Sequence, residues 1–306
     1  MSSILLTGAD CVLGRHILAE LRNAFPDQEV FVLSGTEHDL SDRYAMLNLF
    51  DSIRPSAVVH LASTLDRNDL WFEVADRINV DLLSLLVLSE AAASVGCNSF
   101  ITVAPARTYP LGATVPLVEA DYMSGEPSRM DAPLAQVARA AVMLGESYRW
   151  QFGMISTHIV HGLIFGELTE AEDEPNLPSD IIKMVSRAKR LREQTVTVDH
   201  EGAALLDVIY AGDLARSVIA TTMAPRGGVV NITTGEVSVR AFAQAAARAI
   251  GYEGFLRFGQ TPLDSRVLST DLDSGLNSER LSLGEALNLV ALQLETKSRH
   301  RLAVID

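Results

Sequence analysis

The sequence predicts an α/β protein built on a doubly wound parallel sheet, with a smaller, interleaved C-terminal lobe. Short β-branched runs alternate with helical patterns through the first half of the 306-residue chain. These runs show little polar alternation, as expected of parallel strands that are covered on both faces. The alternation ends near residue 163. We therefore predict a first domain over residues 1–163 and a smaller lobe over residues 164–306, with a soft boundary.

The first half reads as strands and helices in strict alternation until a long loop follows the fourth strand. The second half begins with an acidic, proline-containing loop at 167–180 and is less regular. The patterns predict strands at 3–9, 29–35, 56–63, 99–105 and 155–162, and helices at 13–25, 42–53, 78–96 and 133–151. In the second half they predict a helix at 181–193, a strand–turn–helix unit at 228–251 and a helix at 282–295.

Composition and charge exclude several classes of function. The net charge of −14 disfavours nucleic acid and anionic membranes as partners, because both require basic patches. No run of about 18 apolar residues is present, so the sequence predicts no membrane span. The first residues lack the basic segment of a signal peptide, and the chain contains only two cysteines. These features predict a protein of the reducing cytoplasm.

The segment TGADCVLG at residues 7–14 follows the first strand and opens the first helix, which is the context of a Rossmann dinucleotide fingerprint. Gly8 would make the tight turn, and Gly14 would let the helix and strand pack closely. Cys11 stands where the fingerprint has its middle glycine, and Asp10 places a negative charge beside the expected pyrophosphate. The loop therefore either binds NAD or NADP or persists only as part of the fold. The second strand ends in Ser34-Gly35-Thr36, which contains no acid to bind the ribose and no arginine to bind a 2′-phosphate, so the sequence favours NADP only slightly.

Several further motifs, in order, resemble one family. They are VVHLAS around His60, INVDLLSLLVLSEAA around Asn79, the pair Tyr109-Pro110, DVIYAGDLA around Asp213, and VVNITTGEVSVRAF. With the glycine loop they resemble the extended short-chain dehydrogenase/reductases of the NAD-dependent epimerase/dehydratase family, and within it the GDP-fucose synthase group. The resemblance implies a nucleotide-sugar ligand and a homodimer formed through helices 78–95 and 133–151. It implies an NAD or NADP site at Gly8, Asp10, Cys11, Val12, Gly14, Ser34, His60, Leu61, Ala62 and Asn79.

The resemblance also locates the family's catalytic triad of Ser or Thr, Tyr and Lys. In that family the tyrosine exchanges a proton with the sugar oxygen, the lysine lowers the tyrosine pKa, and the hydroxyl residue binds the same oxygen. The corresponding positions here are Pro105, Leu134 and Ala138, none of which can transfer a proton. Independently of any alignment, no tyrosine in the chain has a lysine four residues later. Since acid–base groups contribute about 10²–10⁴-fold in rate, the usual chemistry should be lost.

Three interpretations remain open at this point. The chain is a non-catalytic family member that binds a ligand or a partner, an active nucleotide-sugar enzyme with relocated acid/base residues, or a structural protein with an empty cofactor site. The candidates for a relocated acid/base are Arg107 and Tyr109. The resemblance places substrate phosphate contacts at Arg187 and Arg266. The histidines His60, His158 and His161 lack the spacing of metal ligands, so we predict no metal site.

Overall fold

The computed structural model describes residues 3–34, 38–61, 73–167, 176–269 and 280–303, with side chains to residue 296. Ala62, one of the predicted cofactor residues, lies outside the described residues. Within the described ranges, no helix is both long enough and apolar enough to cross a bilayer.

The centre of the fold is a six-stranded sheet in which every neighbouring pair is parallel. Its strand order, β2-β1-β3-β4-β5-β9, reverses direction beside β1, as it does in doubly wound folds. The strands of this sheet are β1 (Ser3–Thr7), β2 (Val30–Leu33), β3 (Pro55–His60), β4 (Ser99–Pro105), β5 (Ile155–His161) and β9 (Gly228–Ile232). Shorter strands are β6 (Leu163–Phe165), β7 (Thr195–His200), β8 (Leu205–Tyr210), β10 (Glu236–Ser238) and β11 (Phe255–Thr261).

Helices cover both faces of the central sheet, which confirms the predicted fold class. Residues of α1 and α6 pack on one face with Ile4, Leu6 and Val59, while residues of α2, α3 and α4 pack on the other with Leu5 and Val58. The helices are α1 (Val12–Ala24), α2 (Arg43–Ile53), α3 (Val74–Ser94), α4 (Ala132–Phe152), α5 (Leu177–Leu191), α6 (Ala211–Met223), α7 (Val239–Ile250) and α8 (Leu283–Ala303).

A second hydrophobic core lies among the elements that follow residue 163. It joins Phe165, Ile181, Val198, Phe242 and Val290, which come from two small sheets and from α5, α7 and α8. However, α6 packs against the central sheet, and β9 is one of its strands. The two parts of the chain are therefore interleaved, and a division at residue 163 remains a prediction.

The observed elements differ from the predicted ones mainly at their ends. Helix α5 begins at Leu177, one turn earlier than predicted, because the Asn176 side chain accepts a 3.0 Å hydrogen bond from the Ser179 main-chain N–H. Pro178 is tolerated there because the first turn of a helix leaves its N–H groups without helical partners. Strand β11, which the sequence patterns did not predict, pairs in parallel with β7.

Candidate cofactor and catalytic site

The glycine loop joins β1 to α1 with the geometry that a dinucleotide pyrophosphate requires. Gly8 has a φ of 72°, which favours glycine, and Cys11 is the N-terminal cap of α1, with its Sγ accepting from the Gly14 N–H at 3.2 Å. A Cβ on Gly14 would lie 2.2 Å from the Gly8 carbonyl oxygen, so only glycine fits this approach of helix to strand. Val12 begins the helix, whose N–H groups can hold an anion.

The carboxyl ends of β2 and β3 lie beside this loop. Ser34 follows β2, and its hydroxyl donates to the Asp10 carboxylate at 2.9 Å. His60 ends β3, where its Nδ1 lies 2.8 Å from the Thr7 hydroxyl, and burial lowers its pKa to about 4. Leu61 comes next and is half-buried. These predicted cofactor residues therefore lie together at the carboxyl ends of the neighbouring strands β1, β2 and β3.

Asn79, another of the predicted cofactor residues, lies outside the buried part of the site. It lies on α3 with its side chain exposed. The next buried polar residue of α3 is Asp81, which is only 4% exposed and lines a cavity beneath α4. The sequence motif singled out Asn79, whereas the described structure turns Asp81 toward the interior.

Two of the three positions assigned to the triad, Leu134 and Ala138, line this cavity, and the third, Pro105, directly follows the lining residue Ala104. Pro105 is the last residue of β4, and Leu134 and Ala138 lie one turn apart on α4, each 6% exposed. The cavity has a volume of about 50 Å³. Its lining combines these apolar groups with polar ones, and includes His60, Asp81, Thr102, Leu134, Ala138 and His158. The wall that α4 presents to the cavity thus carries neither a phenol nor an ammonium group.

A buried hydrogen-bond network occupies the polar groups beside the cavity. Nδ1 of His158 lies 2.7 Å from the Thr102 hydroxyl, and its Nε2 lies 2.9 Å from the Tyr122 hydroxyl. Tyr122 donates to Thr108 at 3.0 Å, and Thr108 donates to the Pro105 carbonyl at 2.7 Å. Burial, and to a lesser extent the electrostatic effect of His161, lowers the pKa of His158 to about 3. Burial raises the pKa of Tyr122. Both rings are therefore held neutral.

The two candidates for a relocated acid/base, Tyr109 and Arg107, are each engaged in a contact with another side chain of the protein. Tyr109 is fully buried and donates to Oδ1 of Asn231 at 2.8 Å, and burial raises the pKa of its phenol. Arg107 forms a 2.8 Å ion pair with Asp131, the residue that precedes α4. Tyr109 thus lacks both the exposure and the pKa of a proton donor to a sugar, while Arg107 lies at the start of the helix that carries Leu134.

The two predicted substrate arginines have different surroundings. Arg266 is largely buried: it donates to the Pro110 carbonyl at 2.8 Å and pairs with Asp264 at 2.8 Å. Arg187 is exposed on α5, opposite the face that buries Ile181 and Val185. Arg266 therefore anchors the loop after β4, and Arg187 is the more accessible of the two cations. No cluster of potential metal ligands occurs among the described residues.

Sequence reasoning missed Asn231, which joins three segments around the site. Its side-chain amide donates to the carbonyls of Leu117 and Ser269, and its main-chain N–H donates to the Glu119 carboxylate at 3.0 Å. The available signal was the position of this asparagine in the middle of an apolar strand, β9, where an unpaired amide would be costly.

The fold and the loop define a Rossmann-like dinucleotide-binding protein. Residues 4–233 match the sequence profile of the NAD dependent epimerase/dehydratase family, and the chain belongs to that family. It is 22% identical to a probable GDP-L-fucose synthase of Drosophila melanogaster over 91% of each chain. It is 24% identical to a GDP-L-fucose synthase of Dictyostelium discoideum over 90% of this chain and 88% of the relative.

Solved structures agree with this assignment at the level of the fold. A GDP-L-fucose synthetase from Naegleria fowleri bound to NADP has a TM-score of 0.86 at 17% identity, covering 97% of this chain and 94% of the other. A UDP-glucose 4-epimerase from Thermotoga maritima, with UDP-glucose, has a TM-score of 0.80 at 20% identity, covering 96% and 99%. The resemblance inferred from sequence motifs is thereby confirmed.

Proposed function

We propose that this chain is a non-catalytic member of the family, which binds NAD or NADP together with a nucleotide sugar but does not carry out the family's usual proton transfer. One observation carries the proposal. The positions of the acid/base and its pKa tuner are Leu134 and Ala138, whose apolar side chains line the cavity and cannot exchange a proton with a ligand there.

The binding half of the proposal rests on the glycine loop between β1 and α1. Gly8 and Gly14 have the backbone conformation and close approach that a pyrophosphate cradle needs, and α1 begins directly after this loop, where its N–H groups can hold an anion. A bound nicotinamide would supply hydride transfer. The relatives named above act on GDP-linked or UDP-linked sugars, which supports a nucleotide sugar as the second ligand.

The claim that the chain is non-catalytic also rests on the tyrosine hydroxyl groups beside the cavity. Tyr109 and Tyr122 are the phenols packed beside the cavity among the described residues, and each is buried in a structural hydrogen bond. A phenol with a raised pKa is a poorer base at neutral pH than a free one. These contacts disfavour the alternative of an active enzyme with a relocated acid/base.

We also propose a cytoplasmic location, because the two cysteines, Cys11 and Cys97, form no disulfide.

Calorimetric titration with NADH, NADPH, GDP-mannose and UDP-glucose tests the binding half. We expect saturable binding of a reduced nicotinamide cofactor, because the cradle is intact. The variant Gly14→Ala should weaken this binding, because its added Cβ would meet the Gly8 carbonyl. The matched control is Gly284→Ala in the first turn of α8, where a Cβ meets nothing within 4 Å. Binding of no cofactor by the folded wild-type protein would refute the proposal.

We also propose a homodimer formed through α3 and α4. These helices pack against each other, and their outer surfaces expose apolar side chains that a partner would cover. Val80, Leu83 and Leu86 on α3 and Met143 and Trp150 on α4 are between 43% and 81% exposed. An exposed apolar surface of this kind is typical of an interface.

The change Leu83→Glu should weaken such a dimer strongly. In a two-fold symmetric interface each substitution acts twice, so we expect the dissociation constant to rise by roughly 100-fold. Sedimentation velocity over a concentration series measures it. Leu292→Glu, at an exposed leucine of α8, is the matched control and should leave the dimer intact. A wild-type protein that sediments as a monomer at high concentration would contradict the proposal.

A further inference from the structure

The carboxylate of Asp10, in the glycine loop, lies beside the end of the second strand. β1 and β2 are parallel neighbours in register from Ile4 with Val30 to Thr7 with Leu33, so the residues that follow them emerge side by side. Asp10 lies in the loop after β1, and Ser34 follows β2. The Ser34 hydroxyl donates to Oδ2 of Asp10 at 2.9 Å, although the two residues are 24 positions apart.

The end of the second strand is where this type of fold reads the adenosine ribose of a dinucleotide. A carboxylate there accepts hydrogen bonds from the ribose hydroxyls and repels the additional phosphate of NADP. The second strand itself provides no acid at Ser34. We infer that Asp10, held by Ser34, is the carboxylate that reads the ribose and that it selects NAD over NADP. This inference rests on the proposed function, because it assumes that a dinucleotide occupies the cradle.

The side chain of Asp10 has the capacity for this role. It is exposed, and one hydrogen bond from Ser34 uses only a part of the acceptor capacity of a carboxylate, which has about four lone-pair sites. The main-chain oxygen of Asp10 accepts a hydrogen bond from the Arg15 guanidinium, which fixes the loop. The inference reverses the slight preference for NADP that the sequence alone gave.

The experiment compares the affinities of NADH and NADPH by fluorescence titration of the full chain. We expect the wild type to bind NADH at least tenfold more tightly than NADPH. Asp10→Asn keeps an oxygen that can accept from Ser34 but removes the charge, so the affinity for NADPH should rise roughly tenfold while that for NADH falls. Asp27→Asn removes the same charge from an exposed site before β2, at the opposite end of that strand, and should change neither affinity.

The outcomes separate this inference from the proposed function. Wild-type protein that binds NADPH as tightly as NADH, or more tightly, would overturn the inference and leave the proposed function standing. Loss of NADPH binding in Arg15→Gln would overturn it in the same way, because Arg15 would then be the group that reads a phosphate. Binding of neither cofactor would instead overturn the proposed function on which the inference rests.

Discussion

Replacing Asn231 with alanine should lower the free energy of unfolding by roughly 4 kcal/mol, because the change leaves several buried polar groups without partners. Asn231 is 1% exposed. Its side chain accepts from the Tyr109 hydroxyl at 2.8 Å and donates to the carbonyls of Leu117 at 3.0 Å and Ser269 at 2.6 Å. Urea unfolding followed by circular dichroism measures the loss.

Two comparison variants make this prediction specific. Tyr109→Phe removes one donor from the same network and should cost about 1–2 kcal/mol, at most half as much. Asn98→Ala changes an exposed asparagine just before β4 and should be nearly neutral. Hydrogen exchange should also accelerate at the amides of Leu117 and Ser269, whose segments pair with each other. A loss below about 1 kcal/mol in Asn231→Ala would contradict the account.

Acid should destabilise the protein well before most carboxylates titrate, because two neutral histidines are buried. His60 and His158 have folded-state pKa values of about 4 and about 3, both lowered mainly by burial from the ordinary histidine pKa of 6.5. The stability that each contributes is fully present above about pH 6.5 and is lost as the pH falls from there toward the folded pKa. Each histidine should cost about 1.4 kcal/mol per pH unit within that window.

One carboxyl group acts in the opposite direction over part of this range. Burial raises the pKa of Asp207 to about 6, so its protonation stabilises the folded state as the pH falls below 6. The variant His158→Gln isolates the histidine contribution, because glutamine stays neutral at every pH. Urea unfolding between pH 7 and 4 should show a shallower loss of stability in this variant than in His200→Gln, at a less buried histidine. Equal slopes in the two variants would contradict the assignment.

The sequence predicted the central fold well because its signals are local. Parallel strands buried on both faces give continuous apolar runs, and β1, β3 and β4 were expected within a few residues of their observed bounds. The start of α5 was wrong because Asn176 and Pro178 read as a loop, although both suit the first turn of a helix. β11 was missed because its pairing with β7 depends on contacts distant in sequence.

The candidate site was only partly predictable, since much of it depends on side-chain direction. The positive φ at Gly8 and the close approach at Gly14 follow from the loop pattern. The contact between Asp10 and Ser34, by contrast, depends on how two strands align. Arg266 illustrates the same limit: its charge suggested a phosphate contact, but its side chain holds the Pro110 carbonyl.

The most direct test of the central claim follows the absorbance of reduced nicotinamide after a keto nucleotide sugar is added to the wild-type protein with NADH or NADPH bound. A variant with Pro105→Ser, Leu134→Tyr and Ala138→Lys serves as the comparison, since it returns the family's three catalytic groups to their positions, two of which line the cavity. The account predicts no sugar-dependent oxidation by the wild type while the cofactor remains bound. Sugar-dependent turnover by the wild type, at a rate equal to or above that of the triple variant, would contradict it.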